Sequence, residues 1–256
     1  MIIPGILEKY WSDIEDKIEI VYNRSLSGVD LSSQNIIYRE KVKKIQIDFC
    51  DGLYVNNKTW SPLKESREIN SILEKGLPHW ENFDYEADLM VDNICLDSDG
   101  LSNMHKYIEA VAMLGFSCVV LHSDDETKLV EAILKAKEYM LSVGISSRDI
   151  NLIIKLLNNQ DYIDKIDYVQ IMGIDNIGHQ NEPFDESVIE KIKLIRETLN
   201  KINADKENEK KESEYNISIK GKIRIQIDGA MNNETIQMCR DYGADDFVMG
   251  SAYFGK

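Results

Sequence analysis

The chain has 256 residues, which is the length of one α/β barrel, and we expect a single domain over residues 1–256. Its 30 Lys and Arg against 45 Asp and Glu give a net charge of −15, and no basic run is free of carboxylates, which excludes a nucleic-acid surface. A hydrophobic content of 43% with only 4 Pro and 14 Gly excludes a disordered or collagen-like chain.

Strand-like runs alternate with helical patterns along the chain. Eight strands are predicted, at residues 2–6, 44–49, 85–91, 116–122, 150–155, 168–174, 222–228 and 245–249. Apolar residues at helical spacing over 129–141 and 188–202 predict two of the helices between them. Because parallel strands need long crossover connections, this alternation predicts the α/β class, as a (β/α)₈ TIM barrel.

Two polar stretches are interpreted as insertions into that barrel. The first, at about residues 23–39, is rich in Ser and Asn. The second, at about residues 201–214, carries 4 Lys against 5 Asp and Glu, so it is nearly neutral and is typical of a solvated helix end that runs into a loop. Neither stretch has the length of a linker between domains, so we still expect one domain over residues 1–256.

The N-terminal segment and the cysteines indicate the compartment. The chain reaches Glu8 after a short apolar run without a basic region, so neither a signal peptide nor a membrane span is expected. Cys50, Cys95, Cys118 and Cys239 are widely spaced, which disfavours a disulfide framework or a structural zinc site. We therefore expect a cytoplasmic protein with no membrane or nucleic-acid partner.

A short internal repeat marks the chemistry. The sequence Ile-Gln-Ile-Asp occurs at residues 45–48 and again at 225–228, and Val-Gln-Ile-Met at 169–172 is close to it. In a parallel barrel the Ile residues pack under helices, and the alternating Gln and Asp residues point inward. Carboxylates there are costly unless they are paired, hydrogen-bonded or bound to a metal. Asp48 and Asp228 also end their strands, where barrel enzymes build active sites, so we expect both to approach one ligand.

Further motifs, in order along the chain, carry a resemblance to a known family. They are I-P-G-I-L at 3–7, Q-I-D-F-C-D-G at 46–52, Y-V-N-N at 54–57, D-L-M-V at 88–91, Met172 followed by G-H-Q at 178–180, D-G-A at 228–230 and G-S-A-Y-F at 250–254. This series resembles the P-S-I-L, H-x-D-x-M-D-G, F-V-P-N, H-L-M-V, M-x-V with G-G-Q, D-G-G and G-S-A-I-F motifs of ribulose-phosphate 3-epimerase. The chain is identified as a divergent member of that family.

The resemblance implies a metal-dependent isomerase of carbohydrate metabolism that interconverts ribulose 5-phosphate and xylulose 5-phosphate at C3, a reaction of the pentose phosphate pathway. Two acid/base groups are needed to invert a carbon next to a carbonyl, and the family pattern places them at Asp48 and Asp228, with a cis-enediolate between the two proton transfers. The family's four metal-ligand positions fall at Gln46, Asp48, Asp88 and Asp228. The implied partner is a small-molecule sugar phosphate, whose contacts fall at Gly5, Met90, Met172, Gly178, His179, Gly229, Ala230, Gly250 and Ser251.

The chain departs from the family at two ligand positions and at one substrate position. Gln46 and Asp88 replace His residues, which leaves an all-oxygen ligand set, so Mg²⁺ or Mn²⁺ is expected in place of Zn²⁺. The alternative is that Gln46 and Asp88 hydrogen-bond to each other and no metal binds. Gly5 replaces a Ser, which leaves open an epimerase of another ketose phosphate, such as a hexulose 6-phosphate, or a catalytically silent sugar-phosphate-binding barrel. His122 is interpreted as a hydrogen-bonded rim histidine.

The family pattern continues after G-S-A-I-F into a last helix, and this sequence stops at Gly255 and Lys256. We therefore expect a barrel without its final helix, which exposes the outer surfaces of strands one and eight. Either the stretch at 23–39 or a second subunit in a homo-oligomer is expected to cover them.

Overall fold

A computed structural model describes residues 1–27, 41–64, 66–98, 100–212 and 222–255. Within these residues, eight parallel strands close into a barrel in the order of the chain, β1-β2-β3-β4-β5-β6-β7-β8. The strands are β1 Ile2–Ile6, β2 Lys44–Cys50, β3 Asp84–Met90, β4 Cys118–His122, β5 Ser142–Ser146, β6 Tyr168–Met172, β7 Arg224–Asp228 and β8 Asp246–Met249. The predicted (β/α)₈ barrel is confirmed.

Helices follow the strands and cover the outside of the barrel. They are α1 Trp11–Ser27, α2 Arg67–Lys75, α3 Asn103–Met113, α4 Glu126–Glu138, α5 Ile150–Leu157, α6 Val188–Glu212, α7 Asn233–Asp241 and α8 Ser251–Phe254. Polar caps fix several helix starts: the Ser66 hydroxyl accepts from Ile69 N, and Asn232 forms a capping box with Thr235. No helix in the described ranges is long and apolar enough to cross a bilayer.

Apolar and polar residues alternate along β2 and β7, and the two sets of side chains lie in different environments. Ile45, Ile47 and Phe49 are buried in the main hydrophobic core of the protein. Gln46 and Gln226, which alternate with those apolar residues, are buried with hydrogen bonds to side chains from other strands. A polar barrel interior inside an apolar shell is the arrangement that the period-two pattern predicts.

The strand predicted at 150–155 is wrong. Those residues begin α5, where Asp149 caps the helix by accepting from Asn151 N and the buried residues follow helical spacing (Leu152, Ile153, Leu156 and Leu157). The fifth strand lies earlier, at Ser142–Ser146, and the weakly β-forming Gly144 in its centre conceals it. A Cβ at Gly144 would lie 2.2 Å from the Tyr168 ring, so the strand requires glycine there.

The two stretches interpreted as insertions lie partly within helices. Residues 23–27 end α1, and residues 28–39 lie outside the described residues. Residues 201–212 continue α6 without a break, and the last two residues of the second stretch are again not described. The second stretch is therefore, as far as the structure describes it, an extension of a barrel helix.

The final helix is short, as expected. After β8 a single turn, α8, packs on α1: Lys17 Nζ lies 4.8 Å from the centre of the Phe254 ring, and the Arg24 guanidinium lies 5.2 Å from the centre of the Tyr253 ring. Arg24 also donates to the carbonyl oxygen of Tyr253. Helix α1, which includes Arg24 of the first predicted insertion, thus contacts the single turn of α8.

Candidate active site

A cavity of about 330 Å³ opens at the carboxyl ends of the strands. Eleven of the thirteen site residues predicted from the sequence line it: Gly5, Asp48, Met90, Met172, Gly178, His179, Asp228, Gly229, Ala230, Gly250 and Ser251. The other two, Gln46 and Asp88, are fully buried behind this lining. Sequence reasoning missed the rest of the β6–α6 loop, where residues 180–184 also line the cavity.

Three carboxylates converge at the base of the cavity. Asp48 lies near the carboxyl end of β2 and pairs with Asp88 of β3 in the strand register. Asp228 is the last residue of β7. Carboxylate oxygens of all three lie within 4.8 Å of one another, and we call these residues the carboxylate triad. Burial, followed by repulsion from Asp88, raises the pKa of Asp48 to about 8. Burial and repulsion from Asp48 also raise the pKa of Asp228.

Amide and imidazole groups surround the triad. Gln46 Nε2 donates to Asp48 Oδ1 at 3.0 Å and to Asp228 Oδ2 at 2.8 Å, and it therefore bridges the two predicted acid/base residues. On the far side, Asp88 lies 2.6 Å from His122 Nε2 and accepts from Gln170 Nε2 at 3.1 Å. His122 is the hydrogen-bonded histidine that we expected. The role of Gln170 was missed, although the Val-Gln-Ile-Met repeat pointed to an inward side chain.

The triad fits a divalent cation. Several buried carboxylates in close contact repel one another, and a cation relieves that repulsion. Because the triad supplies only carboxylate oxygens, it suits hard cations such as Mg²⁺ or Mn²⁺. The alternative without a metal requires a hydrogen bond between Gln46 and Asp88, but within the described residues Gln46 bonds to Asp48, Asp228 and Gln226, and Asp88 bonds to His122 and Gln170. Gln46 directs its amino group at the carboxylates, and its Oε1, the atom that a ligand role needs, lies 3.1 Å from Gln226 Nε2.

The glycine-rich loops approach the cavity with backbone conformations that favour glycine. Gly178 and Gly229 have φ of 81° and 107°, and a Cβ at Gly229 would lie 2.9 Å from Ile174. Ala230, which stands where the family motif has its second Gly, also has a positive φ of 55°. At Gly5, a Cβ would lie 2.7 Å from Val248 Cγ1, so a Ser there requires Val248 to move.

Two polar side chains tie the loops of the cavity rim together. Asp51 Oδ1 accepts from Leu53 N at 2.8 Å, and its Oδ2 accepts from Asp92 N at 2.8 Å, which joins the loops after β2 and β3. Asn57 Nδ2 donates to the carbonyl oxygen of Gly178 at 2.7 Å, which joins the loop after β2 to the loop after β6. Both residues lie within family motifs, at 46–52 and 54–57, but their hydrogen-bond partners could not be predicted from those motifs.

Comparison with known proteins agrees with this geometry. Residues 31–254 match the model of the Ribulose-phosphate 3 epimerase family. The chain is 26% identical over 214 residues to ribulose-phosphate 3-epimerase of Buchnera aphidicola, which covers 83% of this chain and 77% of the relative. It is 26% identical over 212 residues to the protein of the same name from Bacillus subtilis, with 83% and 80% covered. Among solved structures, it resembles orotidine 5'-phosphate decarboxylase from Pyrococcus horikoshii in fold, with a TM-score of 0.52, 14% identity, and 100% and 92% of the chains covered.

Proposed function

Because this chain belongs to the ribulose-phosphate 3-epimerase family, we propose that it interconverts ribulose 5-phosphate and xylulose 5-phosphate by inverting C3. Membership makes the chain an enzyme of the isomerase class. The observation that carries the specific proposal is that Asp48 and Asp228, both with raised pKa, line one cavity and share the Gln46 amino group.

Inversion at a carbon next to a carbonyl needs a base on one face of the substrate and an acid on the other. We assign these roles to Asp48 and Asp228. One carboxylate takes the C3 proton, the electrons of the broken C–H bond form the C2–C3 double bond, and the π electrons of the C2 carbonyl move to its oxygen, which gives a cis-enediolate. The other carboxylate, protonated, gives its proton to C3 from the opposite face. When C3 is protonated again, the C2 carbonyl re-forms. Repulsion between the two carboxylates supports this division, because it favours the state in which one of the pair keeps a proton.

The carboxylate triad would hold a divalent cation, with Mg²⁺ or Mn²⁺ favoured by its oxygen donors. When bound, such a cation supplies positive charge that offsets the negative charge developing on the substrate oxygens. Metal analysis of the purified protein, with activity measured after chelation and after readdition of each metal, tests this assignment. Stoichiometric zinc that restores activity better than Mg²⁺ or Mn²⁺ contradicts it.

We assign the substrate phosphate to the loops at Gly178, Gly229, Ala230, Gly250 and Ser251. Backbone N–H groups bind phosphate without any cationic side chain, so this assignment suits a chain with a net charge of −15. Met90 and Met172 would contact the carbon chain of the sugar, and His179 in the β6–α6 loop would add a donor near the phosphate.

Solvent exchange tests the reaction directly. Ribulose 5-phosphate incubated with the protein and Mg²⁺ or Mn²⁺ in heavy water should gain deuterium at C3 and yield xylulose 5-phosphate. Asp48→Asn and Asp228→Asn should each abolish inversion, whereas Asp161→Asn, at an exposed position outside the cavity, should leave it unchanged.

Two results would redirect the proposal. Exchange with a hexulose 6-phosphate but not with the pentulose would shift the substrate, consistent with the missing hydroxyl at Gly5. Binding of sugar phosphates without exchange under any metal would identify a silent binding protein.

A further inference from the structure

Three buried glutamines form one connected group inside the barrel, and we call Gln46, Gln170 and Gln226 the amide layer. Gln226 Nε2 lies 3.1 Å from Gln46 Oε1 and 2.8 Å from Gln170 Oε1. The side-chain amides of Gln46 and Gln170 therefore turn their oxygens to Gln226 and their amino groups to the carboxylate triad. An amide can present either end to its surroundings, so something must fix this orientation.

Glu86 supplies the fixed end. Its Oε1 lies 2.7 Å from Gln226 Nε2, and its Oε2 lies 2.8 Å from Lys44 Nζ. Glu86 is fully buried, and its carboxylate forms an ion pair with Lys44. Because the carboxylate of an ion pair accepts hydrogen bonds and does not donate them, the end of Gln226 that faces it must be the amino group.

The orientation is transmitted from Gln226 outward. The two N–H groups of Gln226 face three atoms, one each from Glu86, Gln46 and Gln170, and they are shared among them. The atoms of Gln46 and Gln170 that face these donors are their carbonyl oxygens. Their amino groups then face outward, where Gln46 reaches Asp48 and Asp228, and Gln170 reaches Asp88. One charged side chain thereby sets the direction of every amide that contacts the triad.

We propose that Glu86 and Gln226 are positioning residues that make Gln46 a hydrogen-bond donor to the two acid/base carboxylates and prevent it from serving as a metal ligand. Any cation in this barrel is then held by the three carboxylates alone. The inference rests on the proposed function only in taking the carboxylate triad as the reacting group.

Glu86→Gln should reverse the layer. Lys44 can only donate, so the new amide must turn its oxygen to Lys44 and its amino group to Gln226. Gln226 must then present its oxygen, and Gln46 must turn its own oxygen to the triad. Lys44→Arg is the matched control, because it alters the same ion pair but keeps a cation that can only donate, so Glu86 remains an acceptor beside Gln226.

Side-chain NMR of glutamine labelled with ¹³C and ¹⁵N reads this orientation without substrate. In the metal-free wild type and in Lys44→Arg, the amino protons of Gln46 and Gln170 should be displaced to low field, as expected of donors to carboxylates. Titration with Mg²⁺ should move those protons but not the side-chain carbonyl carbon of Gln46. In Glu86→Gln the displacement should disappear, and Mg²⁺ should move that carbon.

A Glu86→Gln spectrum like that of the wild type overturns the proposal, as does a wild-type Gln46 carbonyl carbon that moves with Mg²⁺. If Glu86→Gln does not fold, Gln226→Met replaces it: exchange of the Gln46 and Gln170 amino protons with water should accelerate about fivefold, because the N–H donors that hold both amide oxygens are lost. Unchanged exchange overturns the proposal. Because the metal-free spectra need neither Mg²⁺ nor sugar phosphate, their result is separate from any failure of the epimerase assignment.

Discussion

His122 Nε2 lies 2.6 Å from Asp88 Oδ1, and both side chains are almost completely shielded from water, at 1% and 0% exposure. Asp88 has Gln170 as its other partner at the base of the carboxylate triad. A buried carboxylate that loses one of two donors keeps the cost of its dehydration, so this contact affects both the stability of the barrel and the charge balance beneath the site.

Replacement of His122 by Phe should therefore lower the free energy of unfolding by about 3 kcal/mol, because it leaves a buried acceptor with one fewer donor. Urea denaturation followed by circular dichroism measures the loss. His122→Gln, whose amide can place a donor near the same position, should lose only about 1 kcal/mol. Equal losses in the two variants would show that ring packing, and not the hydrogen bond, stabilises this position.

The Asn57 side chain should matter for substrate affinity more than for turnover. It holds the carbonyl oxygen of Gly178 in the loop to which we assign the phosphate, and the loss of one hydrogen bond of about 1 kcal/mol corresponds to about a fivefold change. We expect Asn57→Ala to raise KM for ribulose 5-phosphate about fivefold with little change in kcat. Asn56→Ala, at the exposed neighbouring position, is the matched control and should keep both constants. An unchanged KM in Asn57→Ala would contradict the assignment.

Ala230→Gly should stabilise the protein. The left-handed conformation at φ 55° costs an Ala about 1–2 kcal/mol, and the greater freedom of Gly in the unfolded chain returns only part of that, so we expect a gain of about 0.5–1 kcal/mol. Thermal unfolding measured by calorimetry gives the sign. Ala252→Gly within α8 should instead lose stability, because a helical φ gives Gly no advantage. A loss in Ala230→Gly would refute this interpretation of the turn.

Asp245 should contribute stability that depends on pH. Burial alone would raise its pKa, but the Ile225 N–H and Arg196, whose Nη2 lies 2.6 Å from Asp245 Oδ2, outweigh burial and lower it. A carboxyl whose folded pKa is lowered adds stability above its unfolded pKa, and this stability is lost as the pH falls through the folded pKa.

Asp245→Asn should accordingly cost about 1–3 kcal/mol at pH 7 and much less near pH 2–3. Urea titrations at the two pH values measure the difference, and Asp161→Asn is the exposed control, which should show little effect at either pH. A cost that does not change with pH would mean that the carboxylate charge contributes nothing here.

The sequence predicted the barrel because most strands carry their own signal. In β2 and β7 the Ile-Gln-Ile-Asp repeat encodes both the period and the inward face. In Ser142–Ser146 only Val143 and Ile145 flank a glycine, whereas the apolar run of α5 is too short for periodicity to separate helix from strand. The fifth strand was therefore predicted in the residues of the helix that follows it.

The candidate site divides in the same way. The family motifs predicted that Asp48, Asp228 and the glycine loops belong to one site, and all of them line one cavity. The direction of the Gln46 amide could not be predicted, because it depends on Gln226 and Glu86, which lie on other strands and fix its orientation only through the folded barrel. Residue identity locates a polar side chain, but its hydrogen-bond partners decide which of its atoms acts.

The pairing of β1 with β8 has a consequence for how the molecule folds. Ile2 pairs with Phe247, and the amino group of Met1 donates to the carbonyl oxygen of Asp245, 244 positions away. Contacts between such distant parts of a chain form slowly, because the loop between them must first lose its freedom. During synthesis, β1 and α1 therefore wait for the last strand with one edge unpaired. Until closure, that edge is open to pairing with a strand of another molecule.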